Sequence, residues 1–214
     1  MPDLDFTTNT HLHFLEAYIN FYMTTPTFDV KTTLQRLLIV FTDKIATPAS
    51  CLQFFNADWC PLTQEISFSH DIETIWVLQR TLTVTGIKDV QVSQFIENLG
   101  TQVATKGFDN NKIICDHSNT LQTSPRKTWW TLAEAIIGFY NLYQLTNSKV
   151  YYELATHHFE MVERNFVDTR SNSEWYAYLI NDGHQILQKI SPTLGKAPYH
   201  TCRMYTETIA RLSR

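Results

Sequence analysis

Glycine is scarce in this chain: six residues among 214. Alternating strand patterns are scarce as well, so helical periodicity dominates and an all-α fold is expected. Five of the glycines, Gly86, Gly100, Gly107, Gly183 and Gly195, are expected at helix ends or in loops. The four cysteines, Cys51, Cys60, Cys115 and Cys202, contain no C-x-x-C pair, which favours free thiols over a metal or disulfide framework. No basic block occurs and the net charge is −4, which argues against nucleic acid and anionic membrane as partners. No run of about 18 apolar residues exists, so no membrane span is expected. The opening MPDLDFTTNTH has neither a positive n-region nor an apolar stretch, so it does not read as a signal peptide. No N-x-S/T sequon is present. These absences together predict a reducing, cytoplasmic setting.

What remains is an ordinary globular composition, 43% hydrophobic and 18% charged, long enough for a single domain over 1–214. Seven helices are predicted, at about 9–24, 29–46, 70–85, 89–105, 128–146, 149–167 and 199 onward. The fifth, TWWTLAEAIIGFYNLYQLT, carries one charge, Glu134, and a helix apolar almost all round is interior. The second and sixth are amphipathic and half-exposed. Segment 52–62 reads as a short hairpin. Segments 107–127 and 168–198 read as turn-rich loops, the latter with turns at Asp182-Gly183 and Pro192.

The interior helices open with NTHLH, SHDIE, WWTLAEA and YHTCR. Asn9 to His70 is 61 residues, His70 to Trp130 is 60, and Trp130 to His200 is 70. One inner and one outer helix per repeat is the pattern of a helical-hairpin array, which must stack or close into a ring. Each interior helix also opens on polar groups that share a face. Asn9 and His13 are i, i+4; His70 and Glu73 are i, i+3; Trp130 and Glu134 are i, i+4; His200 and Arg203 are i, i+3. His11 and His13 cannot both point inward, and His13 shares its face with Asn9. Taken singly, each histidine reads as a cap partner or a satisfied core residue, and Trp129 and Trp130 read as core. Glu134 needs a partner, because an unpaired buried carboxylate is costly. Three histidines, an arginine and two carboxylates in phase with one repeat point instead to a shared polar mouth.

The segments TNTHLHFLEAYINFY, ISFSHDIETIW, KTWWTLAEAIIGFYNLYQLT and PYHTCRM resemble, in order and spacing, the motifs of the N-acylglucosamine 2-epimerase family, and NTHLH is closer to its cellobiose-type branch. The resemblance implies an α/α toroid of six hairpins, of which this chain supplies about three and a half, the C-terminal half. It implies inversion at C2 of the reducing-end glucose of a β-1,4-linked disaccharide, through a cis-enediolate and without a cofactor. By the same resemblance His70 and His200 are the acid/base pair on opposite faces of that carbon, and Glu73 positions and polarises His70. His13, Asn9 and Arg203 bind or stabilise the ring-opened sugar oxygens. Trp76 and Trp130 stack on the sugar, and Glu134 hydrogen-bonds a hydroxyl.

Histidine suits the task, since its ordinary pKa of about 6.5 lies near neutrality. Inversion requires a second acid/base on the other face, and no metal is needed. Ser69 stands where the family usually has Gly, and Thr201-Cys202 where Asn-Gly is usual, so those loops are expected to sit differently. The sibling activities, N-acylglucosamine 2-epimerase and mannose isomerase, are the alternatives within the class. Two further readings are an inactive truncated remnant and an α/α-barrel glycoside hydrolase using Glu73, Asp71 or Glu134. Half a barrel exposes the sides of its interior helices, so a separate N-terminal half or a second copy of the chain is expected as partner.

Overall fold

The computed structural model of the chain describes residues 4–117, 126–170, 173–181, 186–190 and 196–213. Among them are α1 (Thr8–Thr24), α2 (Phe28–Val40), α3 (Phe68–Thr85), α4 (Val90–Lys106), α5 (Trp129–Thr146), α6 (Lys149–Asn165) and α7 (Tyr199–Leu212). The turn after α2 widens to a π-helix over Phe41–Ile45, closed by the Ala46 N–H donating to the Phe41 carbonyl at 2.8 Å.

Helix starts follow the local chemistry. Thr7, Thr27, Ser67 and Asp89 stand at the N-caps of α1 to α4, and each side chain accepts a backbone N–H of the first turn. The ends are equally local. Gly86 closes α3 at φ 67° and Asn147 closes α5 at φ 56°, the left-handed region that these two residue types tolerate best.

Helices α1, α3, α5 and α7 lie side by side as an inner layer, and α2, α4 and α6 pack outside as their hairpin partners. This is the alternation expected from the repeat, a partial α/α toroid. The two central inner helices are buried almost all round: thirteen of 18 residues in α3 and eleven of 18 in α5. They have an inner neighbour on each side as well as an outer one. Helix α1 buries only four residues and α7 three, because each lies at one end of the arc. Phe14, Phe21 and Met23 of α1 and Ile209 and Leu212 of α7 are accordingly exposed. The α3–α5 crossing is close at Gly138, where a Cβ would stand 2.7 Å from the Ile72 carbonyl oxygen.

Several expectations need correction. Gly100 lies inside α4, not at an end, and its missing side chain admits Leu142 of α5. Segment 52–62 does turn back on itself as the short hairpin expected, with an antiparallel Phe55–Pro61 bridge and the Asn56 and Leu62 N–H groups donating to the Cys60 and Phe54 carbonyls, but its strand β2 (Phe54–Phe55) also pairs antiparallel with β1 (Phe6–Thr7). At that turn Trp59 takes φ 63° and stacks on Phe6 with ring centroids 4.6 Å apart.

The two supposed loops instead contribute a three-stranded antiparallel sheet of β3 (Arg126–Thr128), β4 (Tyr178–Asn181) and β5 (Ile186–Ile190), in the order β3-β4-β5. Strand β3 runs straight into α5, and the Trp129 N–H donates to the Ala177 carbonyl at 3.1 Å. The sheet therefore fixes where α5 begins. The turns expected at Asp182-Gly183 and Pro192, with Gly195, lie outside the described residues. Ser69, Thr201 and Cys202 lie in the first turns of α3 and α7 rather than in loops. All four cysteines are free, Cys51 and Cys115 buried.

Candidate active site

The inner helices bring their N-terminal turns to the same side of the inner layer. There Asn9 and His13 of α1, His70 of α3, Trp129 and Trp130 of α5, and Tyr199 and His200 of α7 line an open cleft of about 290 Å³. The ring of Trp130 lies between His70 and His200, 5.3 Å from the first and 5.5 Å from the second by centroid. His13 sits across from Tyr199, ring centroids 5.9 Å apart. His11 turns away: its Nδ1 meets the Thr7 carbonyl at 2.7 Å and its ring packs near Phe6 and Trp59. Trp129 and Trp130 are both half-buried, so neither is purely core.

Beneath the cleft lies a charged network. Arg203, buried, donates from Nη2 to Glu73 Oε1 at 2.6 Å and to Glu134 Oε1 at 2.7 Å, and from Nη1 to Glu16 Oε2 at 2.6 Å. Its guanidinium lies 5.0 Å from the Trp76 ring. Glu134 has no exposed surface. Its Oε2 accepts the Trp76 indole N–H at 2.8 Å, and its Oε1 lies 2.9 Å from His200 Nδ1. Tyr199 completes the set with hydrogen bonds to Glu16 and Arg203.

Several assigned roles do not fit this geometry. Trp76 is 0% exposed, so its ring has no face left for a sugar. Glu134 is 0% exposed and both its oxygens already accept from protein donors, which sets it below the reach of a substrate hydroxyl. Glu73 meets Arg203 rather than His70. The His70 ring is instead held by Ser67, whose Oγ lies 2.9 Å from Nδ1. Arg203 binds carboxylates in place of sugar oxygens. Sequence reasoning missed Ser67, Glu16 and Tyr199. Glu16 stands at i+3 from His13 and Ser67 at i−3 from His70, so helical spacing held a signal for both.

The electrostatics follow from burial. Burial holds His70 down to about 4, helped by the charges of His117, His13 and His200 against Glu134, and its place in the first turn of α3 acts in the same direction. Burial also lowers His13, which Glu16 opposes. Burial raises Glu73, and the neighbouring Glu134 charge raises it further. For Glu134 burial is outweighed by the Arg203 charge and by hydrogen bonds from His200 and Arg203, leaving it below the usual carboxylate range. Burial and the Glu134 charge thus favour the neutral form of Glu73, while Arg203 and His200 favour the ionised form of Glu134. Glu73, Glu134 and His200 could offer three metal-ligand atoms within 4.8 Å of one another. Arg203 hydrogen-bonds both carboxylates and lies 3.1 Å from His200 Nδ1, so a guanidinium already supplies the cation in that space.

Fold and cleft together define a partial α/α toroid whose polar site lies at the N-terminal ends of its inner helices. The chain belongs to the N-acylglucosamine 2-epimerase family, whose sequence pattern matches residues 3–203. It is 30% identical over 218 residues to a cellobiose 2-epimerase of Ruminococcus albus, covering 97% of this chain and 54% of that protein. It is 27% identical to a cellobiose 2-epimerase of Dictyoglomus turgidum, covering 95% and 53%. The solved cellobiose 2-epimerase of Bacillus thermoamylovorans superposes with a TM-score of 0.90 at 30% identity, over 97% of this chain and 54% of that one. The chain thus spans about half the length of the curated relatives it matches. No helix among the described residues is long and apolar enough to cross a membrane.

Proposed function

We propose that this cleft inverts C2 of the reducing-end glucose of a β-1,4-linked disaccharide such as cellobiose. The proton leaves one face of the open-chain sugar and a proton returns on the other, through an enediolate. The observation that carries the reading is the pair His70 and His200 flanking Trp130 in one cleft. His200 takes the C2 proton, and the Glu134 carboxylate against Nδ1 stabilises the charge that His200 gains. His70 serves the opposite face. Trp130 is the platform on which the sugar ring rests. His13 and Asn9 meet the sugar oxygens, where negative charge develops.

A glycoside hydrolase would need accessible carboxylates. Glu73, Asp71 and Glu134 are 2%, 0% and 0% exposed, which disfavours that reading. Asp71 also accepts the Cys51 N–H at 2.8 Å. A second reading is favoured by the exposed apolar residues of α1 and α7: a further polypeptide covers the arc and completes the cleft. Its signature is an activity that rises when such a partner is added. The test of the first reading is proton NMR of cellobiose in deuterium oxide with the chain. Deuterium at C2 and appearance of the C2 epimer support it. Release of monosaccharide would favour hydrolysis instead.

A further inference from the structure

Ser67 does two things with one hydroxyl. Its Oγ caps α3 by accepting the backbone N–H of His70 at 3.3 Å, and it lies 2.9 Å from His70 Nδ1. Ser67 is 2% exposed. A hydroxyl carries one hydrogen and two lone pairs. Were Nδ1 to donate to Oγ as well, the Ser67 hydrogen would be buried with no acceptor among the described residues, which is costly. The satisfied arrangement sends the Ser67 O–H to Nδ1 and leaves the His70 proton on Nε2.

His200 is held the other way. Its Nδ1 lies 2.9 Å from Glu134 Oε1 and 3.1 Å from Arg203 Nη2. Both hydrogens of Nη2 are committed, one to Glu73 Oε1 and one to Glu134 Oε1. In the neutral ring, Nδ1 must therefore carry the proton and donate it to the carboxylate, which leaves Nε2 bare.

We infer that Ser67 is a positioning residue that keeps the His70 proton on Nε2, so that the two histidines of the cleft rest in opposite tautomers. Helix α3 then presents an N–H and α7 a lone pair before any substrate enters. What the two groups act upon rests on the proposed C2 chemistry; the tautomers themselves do not. A neutral N–H is suited to returning a proton to the opposite face of C2, and a bare nitrogen to taking a carbon-bound proton. Charging His70 forces Ser67 from donor to acceptor and strands its hydrogen. That adds to the burial and to the facing groups, His13 on α1, His200 on α7 and His117 in the segment after α4, that keep the ring neutral against Glu134 on α5.

Long-range proton–nitrogen correlation spectra of the chain carrying ¹⁵N-histidine read this directly at neutral pH, with His70→Gln and His200→Gln used to assign the signals. His70 should show a bare Nδ1 and a protonated Nε2, and His200 the reverse; the same tautomer in both would overturn the inference. Ser67→Asp separates the two roles of Ser67. Aspartate caps a helix as well as serine does but can only accept from Nδ1. It should turn His70 to the Nδ1–H form and raise its titration midpoint by about two units or more. Ser67→Thr should keep both the tautomer and the midpoint. If Ser67→Asp leaves both unchanged, Ser67 merely caps the helix. If that variant does not fold, the wild-type spectrum alone decides. Opposite tautomers without exchange at C2 would sink the proposed reaction and leave this inference standing.

Discussion

The division of charge between Glu73 and Glu134 has a measurable consequence in a double-mutant cycle. Both carboxylates are buried and both accept from Arg203 Nη2, at 2.6 and 2.7 Å. Glu73→Gln replaces a neutral acid by a neutral amide whose oxygen can still accept, so it should cost only about 0–1 kcal/mol. Glu134→Gln removes the ionised partner and sets an amide N–H against either Trp76 or His200 and Arg203. Losing the negative charge at Glu134 lets Glu73 ionise in its place, which restores the ion pair and limits the cost to about 1–3 kcal/mol. In the double variant neither carboxylate can ionise. Arg203 then keeps only Glu16, and breaking a buried pair costs about 3–5 kcal/mol. The coupling energy should therefore be of the order of 2 kcal/mol, with the double variant worse than the sum. Urea unfolding of the four proteins at pH 7 measures it. Additivity within about 0.5 kcal/mol would show that the two carboxylates act independently and would refute the reasoning.

Trp76 and Trp130 should separate cleanly. Trp76→Phe leaves Glu134 Oε2 without its donor and should cost about 1–2 kcal/mol of stability while sugar KM stays constant, whereas Trp130→Ala should raise KM several-fold with little change in stability. His158 is wholly buried, its Nδ1 against the Leu154 carbonyl and its Nε2 accepting the Ile114 N–H, and burial lowers it to about 4. The unfolded chain takes up that proton near 6.5 and the folded chain only near 4. Stability should thus be fully present above pH 6.5 and fall as pH drops toward 4, by of the order of 3 kcal/mol, and His158→Gln should flatten that slope in thermal melts. Gly138→Ala should destabilise by about 1–3 kcal/mol or more, because its Cβ meets the Ile72 backbone, while Gly100→Ala, against the flexible end of Leu142, should cost less.

The helices were legible because the apolar period runs unbroken through them; the structure has all seven within a few residues of expectation. The in-phase openings were legible too, since i, i+3 and i, i+4 spacing fixes a face, and His13, His70, Trp130 and His200 meet in one cleft. Spacing does not fix depth. Trp76, Glu134 and Arg203 share the correct face but lie a turn or more below the cleft, where their polar groups satisfy one another. The strands β3 to β5 were not legible. The β3–β4 pairing joins segments about 50 residues apart, and β3, Arg126–Thr128, has no apolar alternation. Its Lys127 is buried with its Nζ 3.1 Å from Asp109, an ion pair that charge alone does not announce.

The central claim, that this cleft moves the C2 proton of an aldose, is tested most directly by incubating the folded chain with cellobiose in deuterium oxide and following C2 by proton NMR. The account predicts loss of the C2 proton signal with appearance of the epimer, and no exchange at all in His200→Ala, which lacks the base. In His70→Ala, which keeps the base, it predicts exchange without inversion. A C2 proton that persists unexchanged beside the folded wild-type chain, or a His200→Ala variant that epimerises at the wild-type rate, would contradict it.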